Sequence, residues 1–261
     1  IELRNITIST KQPKVANGVS LYATYTKLGN ISVTNCLSGI YLNGWYSEIN
    51  SCKAWKCENG IQLKGNACVL SNSFAQSSTN TNIFIIGRNL TVFNNSFESY
   101  DTDNTQIGFR ASACYGCNVF ANYFEGYAQT MVKLNEIGAS NFSNFEISEA
   151  TTTTEKTMKL FDIDIFRTSV LDGFYLEPNA LTGQLKLDLG NISGSHYSEI
   201  KNIKTKAIKG FKVLNSFILF DNIVIDNIED CEYSFNFNRH DYVRCTFNNI
   251  PETHFSKMQN L

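Results

Sequence analysis

Apolar and polar residues alternate in short runs that recur along almost the whole chain. Period-2 alternation bounded by Asn or Gly is a strand signal. One recurring strand reads Asn30-Ile-Ser-Val-Thr-Asn-Cys, Glu48-Ile-Asn-Ser-Cys and Asn66-Ala-Cys-Val-Leu-Ser-Asn-Ser-Phe. It returns as Asn89-Leu-Thr-Val-Phe-Asn-Asn-Ser-Phe, Asn118-Val-Phe-Ala-Asn-Tyr-Phe and Asn141-Phe-Ser-Asn-Phe-Glu-Ile. Counted from the residue after each leading position, the spacings are 18, 18, 23, 29 and 23. A second strand lies between these: Gly39-Ile-Tyr-Leu, Gly60-Ile-Gln-Leu, Asn82-Ile-Phe-Ile, Gln106-Ile-Gly-Phe, Thr130-Met-Val-Lys-Leu, Thr157-Met-Lys-Leu-Phe and Gln184-Leu-Lys-Leu.

Each pair of strands fills roughly 20 to 30 residues and shows no helical period, which predicts the coil of a parallel β-helix. One coil cannot bury its apolar side alone, whereas stacked coils share a continuous core at the strand spacing of roughly 4.8 Å. A β-sandwich would show more hairpin turns than Asn17-Gly18, Asn43-Gly44 and Asn59-Gly60. A propeller would repeat at about 40 residues. The prediction is therefore one all-β solenoid domain over residues 1–261. Longer coils imply loops, expected at 100–106, 150–155 and 177–183, and loops on one side of a solenoid build its binding face.

Composition agrees. The chain holds 31 Asn, and Asn competes with the helical backbone for hydrogen bonds. It is 43% hydrophobic and only 18% charged, so it is globular rather than disordered. A net charge of −2 argues against a nucleic-acid partner. No apolar run approaches the length of a membrane span, so membrane insertion is not expected. The chain opens at Ile1 without a secretory leader and reads as a piece of a longer polypeptide. The eight cysteines, Cys114-Tyr-Gly-Cys117 among them, read as small buried residues rather than disulfides or a zinc site.

The run Gly39-Ile-Tyr-Leu-Asn-Gly-Trp-Tyr-Ser-Glu-Ile-Asn-Ser-Cys, followed by Glu58-Asn-Gly-Ile-Gln-Leu and later Asn-Ser-Phe and Phe-Glu segments, resembles bacteriophage tailspikes and capsule depolymerases. These belong to the pectate-lyase-like, right-handed, single-stranded parallel β-helix superfamily. The resemblance implies a homotrimer in the tail of a virion, made in the host cytoplasm and acting at the bacterial surface. It implies a bacterial capsular or O-antigen polysaccharide as ligand, and attachment to the phage particle through a region outside this chain. No cofactor is implied.

One doublet within the repeat carries candidate chemistry. Asn95-Ser-Phe97-Glu98-Ser-Tyr100 and Asn122-Tyr-Phe124-Glu125-Gly-Tyr127 share the pattern N-x-F-E-x-Y, 27 residues apart. The preceding coil reads Asn72-Ser-Phe74-Ala75, with Ala in place of the acid. If the phenylalanines stack inward, alternation turns Glu98 and Glu125 outward on neighbouring rungs, about 5 Å apart, the separation of a retaining glycosidase. Asp101 and Asp103 extend the acidic run; with Glu98 either one would supply the wider, inverting geometry. A calcium site is the rival use of such a loop, without the spacing of an EF-hand, and no metal is expected. Tyr100, Tyr127, Trp45 and Tyr46 are candidate sugar platforms, and Arg110 and Lys133 candidate cations for substrate binding. Asp162, Asp164, Asp172 and Glu177 form a second acidic region. The leading expectation is an endoglycosidase that hydrolyses bacterial polysaccharide. A lyase, which needs a base and a cation facing a uronic carboxylate, and a non-catalytic carbohydrate-binding module are the alternatives.

Overall fold

The computed structural model describes residues 1–12, 14–99, 105–148, 150–176, 181–207, 209–214 and 216–226, and two short strands at 241–243 and 246–247. The expected fold class is found. The chain winds as an all-β parallel solenoid of about nine turns, and no helix occurs among the described residues. Asn43-Gly44 and Asn59-Gly60 lie inside strands rather than at hairpins.

Each turn has three faces. The first face is formed by Glu48–Asn50, Val69–Ser71 and Thr91–Phe93, and the second by Lys53–Trp55, Phe74–Gln76 and Ser96–Ser99. In other turns one strand bends across both: Glu2–Ser9, Lys27–Thr34, Asn118–Gly126, Asn141–Ser148, Val170–Leu176, His196–Lys206 and Phe217–Asp226. The third face stacks Val19–Tyr22, Ser38–Trp45, Asn59–Asn66, Thr81–Arg88, Ile107–Tyr115, Thr130–Gly138, Ala150–Arg167, Leu181–Ser193 and Lys209–Leu214.

The bend between the first two faces has a backbone cause. Asn5, Asn30, Ser51, Asn72, Asn94, Ala121, Asn144, Gly173, Asn202 and Asn222 all sit at φ between 49° and 68°. Asn tolerates this left-handed conformation better than other side-chain-bearing residues, and it holds seven of the ten places. A second left-handed corner, at Tyr25, Tyr46, Ala67, Asn89, Gly116, Ala139 and Thr168, joins the third face to the next turn. The sequence reading merged these two corners, because Asn marks both. Vertical partners on the first face are Leu28, Ile49, Leu70, Val92, Val119, Phe142, Leu171 and Ile200. The early coil length is therefore 21–22 residues, not 18.

The longer turns also differ from expectation. Segments 150–152 and 181–183, expected as loops, are paired strand: Ala150 faces Leu181, Thr151 faces Thr182 and Thr152 faces Gly183. The pairing shifts register between Thr152 and Lys156, so the added residues are taken up within the strand.

The core changes character along the axis. Early turns bury Ile40, Leu42, Ile61 and Leu63; later turns bury a column of rings. Phe97 and Phe124 lie 4.6 Å apart by centroid, Phe124 and Phe145 5.7 Å, and Phe145 and Phe174 4.6 Å. Buried turn donors are satisfied from the next rung. Asn122 Oδ1 accepts the backbone N–H of Asn95 at 3.1 Å and its Nδ2 at 3.0 Å, and Asn95 Oδ1 accepts the N–H of Ser73 at 3.0 Å. Cys36, Cys52, Cys57, Cys68, Cys114 and Cys117 are buried and free, as expected, but they are more than small apolar fillers. Cys68 Sγ donates to Gly44 O at 3.1 Å, as Ser140 Oγ does to Gly138 O at 2.9 Å. Burial pushes the Cys57 thiol up to about 11, which leaves it protonated and unreactive. Cys231 and Cys245 lie outside the described residues.

Candidate active site

Glu98 and Glu125 are register partners on the second face, and Phe97 and Phe124 are partners beneath them. Both phenylalanines are buried, so alternation does turn the two carboxylates outward on adjacent rungs. The outward column reads Trp55, Gln76, Glu98, Glu125 and Ser148. Beside it run Lys53, Phe74, Ser96, Tyr123 and Glu146.

The preceding coil is shifted by one residue from the sequence alignment. Asn72 is the corner partner of Asn94, not of Asn95, so Ala75 lies under the Phe97 column and Gln76 takes the acid position. Phe74 therefore faces outward, with Lys53 Nζ 4.9 Å from its ring centroid.

Gln76 Nε2 donates to Glu98 Oε2 at 3.1 Å, and Ser96 Oγ donates to Glu98 Oε1 at 3.2 Å. Tyr123 OH donates to Glu125 Oε2 at 2.9 Å. The two acids thus have different surroundings. Burial, then the charge of Glu125, raises the Glu98 carboxyl above its ordinary value; the Ser96 hydrogen bond and Lys53 pull the other way. A carboxyl raised in this way retains its proton at higher pH and suits a general acid, while a neighbouring carboxylate held by a phenol suits a nucleophile. Trp55 stands two rungs before Glu98 in the column, with Lys56 Nζ 4.7 Å from its ring centroid.

The other candidates fall elsewhere. Tyr100, Asp101 and Asp103 lie outside the described residues, as does Glu177. Tyr127 was expected outward but is 7% exposed, with Lys156 Nζ 4.7 Å from its ring. Gly126, at φ +86°, interrupts the alternation between Glu125 and Tyr127. Trp45 and Tyr46 are exposed, and Tyr46 stacks on Tyr25 at 5.4 Å, but they occupy the corner between the third and first faces. Arg110 and Lys133 belong to the third face, in the column Phe84, Arg110, Lys133, Asp162. Arg110 lies 4.7 Å from the Phe84 ring centroid, and Lys133 pairs with Asp162 at 3.0 Å. The structure does not bring these two cations to the acid pair. Asp164 accepts from Ser193 at 2.8 Å and Asp172 from Asn202 at 2.7 Å, so the second acidic region is dispersed among structural contacts.

Sequence reasoning missed Gln76, Ser96, Tyr123 and Lys53. Ser96 and Tyr123 are the x of the N-x-F-E pattern, and reading that position as outward would have found them.

Gly126 gives a direct test of how the site is held. A Cβ there would stand 1.8 Å from the Ser99 carbonyl oxygen, in a backbone conformation that side chains rarely adopt. Gly126→Ala is expected to destabilise the protein by about 2 kcal/mol or more and to displace Glu125. Chemical denaturation checks the first effect; an unchanged midpoint would show that the rung gives way easily.

No protein-family model matches the sequence, and no curated protein matches it. Among solved structures the chain is similar to a cysteine-to-alanine mutant of DFA-IIIase from Arthrobacter chlorophenolicus A6 in complex with DFA-III. That match has a TM-score of 0.50 and 12% identity and covers 92% of this chain. The aligned part is 66% of the DFA-IIIase chain, so this chain spans just under two thirds of that protein. A second similar structure is the catalytic unit of a thermostable GH87 alpha-1,3-glucanase from Streptomyces thermodiastaticus strain HF3-3. Its TM-score is 0.39 at 10% identity, over 94% of this chain and 60% of that one. At such identity the likeness to DFA-IIIase concerns the solenoid fold alone.

Proposed function

We propose that this solenoid cleaves a bacterial surface polysaccharide, capsule or O-antigen, by glycosidic hydrolysis on its second face. The observation that carries the reading is the register pairing of Glu98 with Glu125. Neighbouring rungs set the carboxylates about one strand spacing apart, roughly 4.8 Å, which suits a retaining displacement. The Glu125 carboxylate attacks the anomeric carbon as the bond to the leaving oxygen breaks, and Glu98 gives its proton to that oxygen. Water then attacks the same carbon, loses its proton to Glu98 and frees Glu125. Tyr123 and Gln76 orient the two carboxylates, and Trp55 and Phe74, on the two rungs before Glu98, offer ring surface to the sugars on that side.

In the finer reading the chain is part of a homotrimeric phage tailspike, joined to the particle outside this segment and acting at the bacterial surface. The test is incubation with a panel of purified capsular and O-antigen polysaccharides. New reducing ends with retained anomeric configuration are expected for at least one of them. A product absorbing in the ultraviolet would indicate a lyase, and tight binding without shortening a non-catalytic module; either overturns the proposal.

A further inference from the structure

The second face continues past the acid pair. Below Tyr123 the outward column reads Glu146, Tyr175 and Lys204. At this level the corner ladder is interrupted. Gly173 stands between Asn144 and Asn202, where seven of the other nine corner positions carry Asn. An open cavity of about 360 Å³ lies beside it, lined by Asn144, Glu146, Gly173, Tyr175, Asn202 and Lys204.

Asn202 is engaged by Asp172 and Asn222, at 2.7 Å each, but the other polar side chains of this cavity are unspent. Among the described residues the side chains of Asn144, Glu146, Tyr175 and Lys204 have no hydrogen-bond or ion-pair partner. Other lysines differ: Lys201 pairs with Glu199 at 3.0 Å and, on the third face, Lys186 with Glu155 at 2.8 Å. Tyr175 is 47% exposed, although its neighbour Phe174 is packed into the core. An exposed ring, an amide, a carboxylate and an ammonium around one concavity form a pyranose site: the ring stacks on a sugar face and the polar groups take hydroxyls. The ammonium of Lys204 and the carboxylate of Glu146 lie at opposite ends of the column with Tyr175 between them, so an acidic group on a bound sugar is favoured at the Lys204 end.

We infer that this cavity is a glycan subsite for an acidic sugar unit, stacked on Tyr175 with its carboxylate toward Lys204. The site lies on the face of the acid pair, so it would hold a unit of the same polysaccharide. To that extent the inference rests on the function proposed above.

The test uses Glu98→Gln protein, which would bind without cleaving, on an array of bacterial acidic and neutral oligosaccharides. Acidic members are expected to bind. Calorimetry on them then compares three second changes. Gly173→Asn restores the side chain that other corners carry and places it at the wall of the cavity; affinity should fall at least about tenfold at an unchanged melting temperature. Tyr175→Ala should weaken binding by about tenfold. Lys204→Gln should remove most of its salt dependence. Binding to neutral members only, binding to none, or affinities unchanged by all three substitutions would overturn the inference. A separate cleavage assay on the parent protein distinguishes the two readings: if it fails to shorten a polymer whose fragments bind in this Gly173-dependent way, the hydrolase reading fails and the subsite stands.

Discussion

Glu98→Gln and Glu125→Gln are each expected to lower polysaccharide cleavage by about 10³-fold or more while leaving the solenoid folded. Loss of general acid catalysis alone typically costs 10²–10⁴-fold, and loss of the nucleophile removes the covalent route altogether. Both side chains are outward and partly exposed, so an isosteric amide removes charge and proton without opening a cavity in the core. The two variants should differ in one respect. With Glu125 intact, Glu98→Gln should retain some activity toward substrates whose leaving group needs no proton, such as aryl glycosides of the right sugar. Full activity in both variants, with circular dichroism and melting unchanged, would show the pair to be solvated surface acids. Wild-type activity in Lys133→Gln would fit its place on the third face, where it is occupied by Asp162.

The second large effect concerns the fold. Phe145 is 1% exposed and contacts the rings of Phe109, Phe124 and Phe174 at 6.1, 5.7 and 4.6 Å by centroid. Phe145→Ala is expected to cost about 4 kcal/mol, because a stacked column cannot close around the void without shifting several rungs. Turns of a solenoid are held mainly by their neighbours, so a defect near the middle weakens the turns on both sides. Phe120 is the control. It stacks on Phe93 at 5.4 Å and 6°, but on the outside of the first face. Phe120→Ala should cost about 1 kcal/mol, the range of an aromatic pair without deep burial. Denaturant midpoints compare the two; a larger loss at Phe120 would contradict the described register.

The architecture was legible because the pleat and the stacking repeat write themselves into the sequence. The alternation in Gly39-Ile-Tyr-Leu and Gly60-Ile-Gln-Leu is the vertical pairing of Ile40 with Ile61 and Leu42 with Leu63. The corners were harder. A left-handed residue is needed at both Asn30 and Asn89, and Asn satisfies either, so residue type alone does not say which bend it makes. That ambiguity produced the coil spacing of 18, and the adjacent pair Asn94-Asn95, of which only Asn94 is the corner, displaced Gln76 from its place beside Glu98. The doublet itself survived, because Phe97-Glu98 and Phe124-Glu125 shift together.

Sequence distance misled the assignment of substrate-binding residues. Arg110 follows Glu98 by 12 residues, yet a corner intervenes and sends its side chain to another face. Tyr127 follows Glu125 by two, yet one glycine at positive φ breaks the parity on which the outward reading depended. Tyr123 and Tyr175, which do share the face of the acids, are separated by two turns of chain and fall in one column, with Glu146 between them, only through the stacking.

A Glu98 carboxyl raised by burial and by the neighbouring Glu125 is what separates a catalytic pair from two surface glutamates. It can be measured before the substrate is known. Carbon-detected NMR titration of the Glu98 and Glu125 side-chain carboxyls reads it directly. Glu98 should titrate above the ordinary carboxylate range, and Glu125→Gln should move that titration downward without restoring it fully, since burial remains the larger cause. The same shift has a sign in stability. A raised folded-state pKa means stability is lost as pH climbs from the ordinary value through the raised one, and Glu98→Gln should flatten that slope. A Glu98 that titrates at the ordinary value, and does not respond to Glu125→Gln, would contradict the acid–nucleophile division on which the proposed chemistry stands.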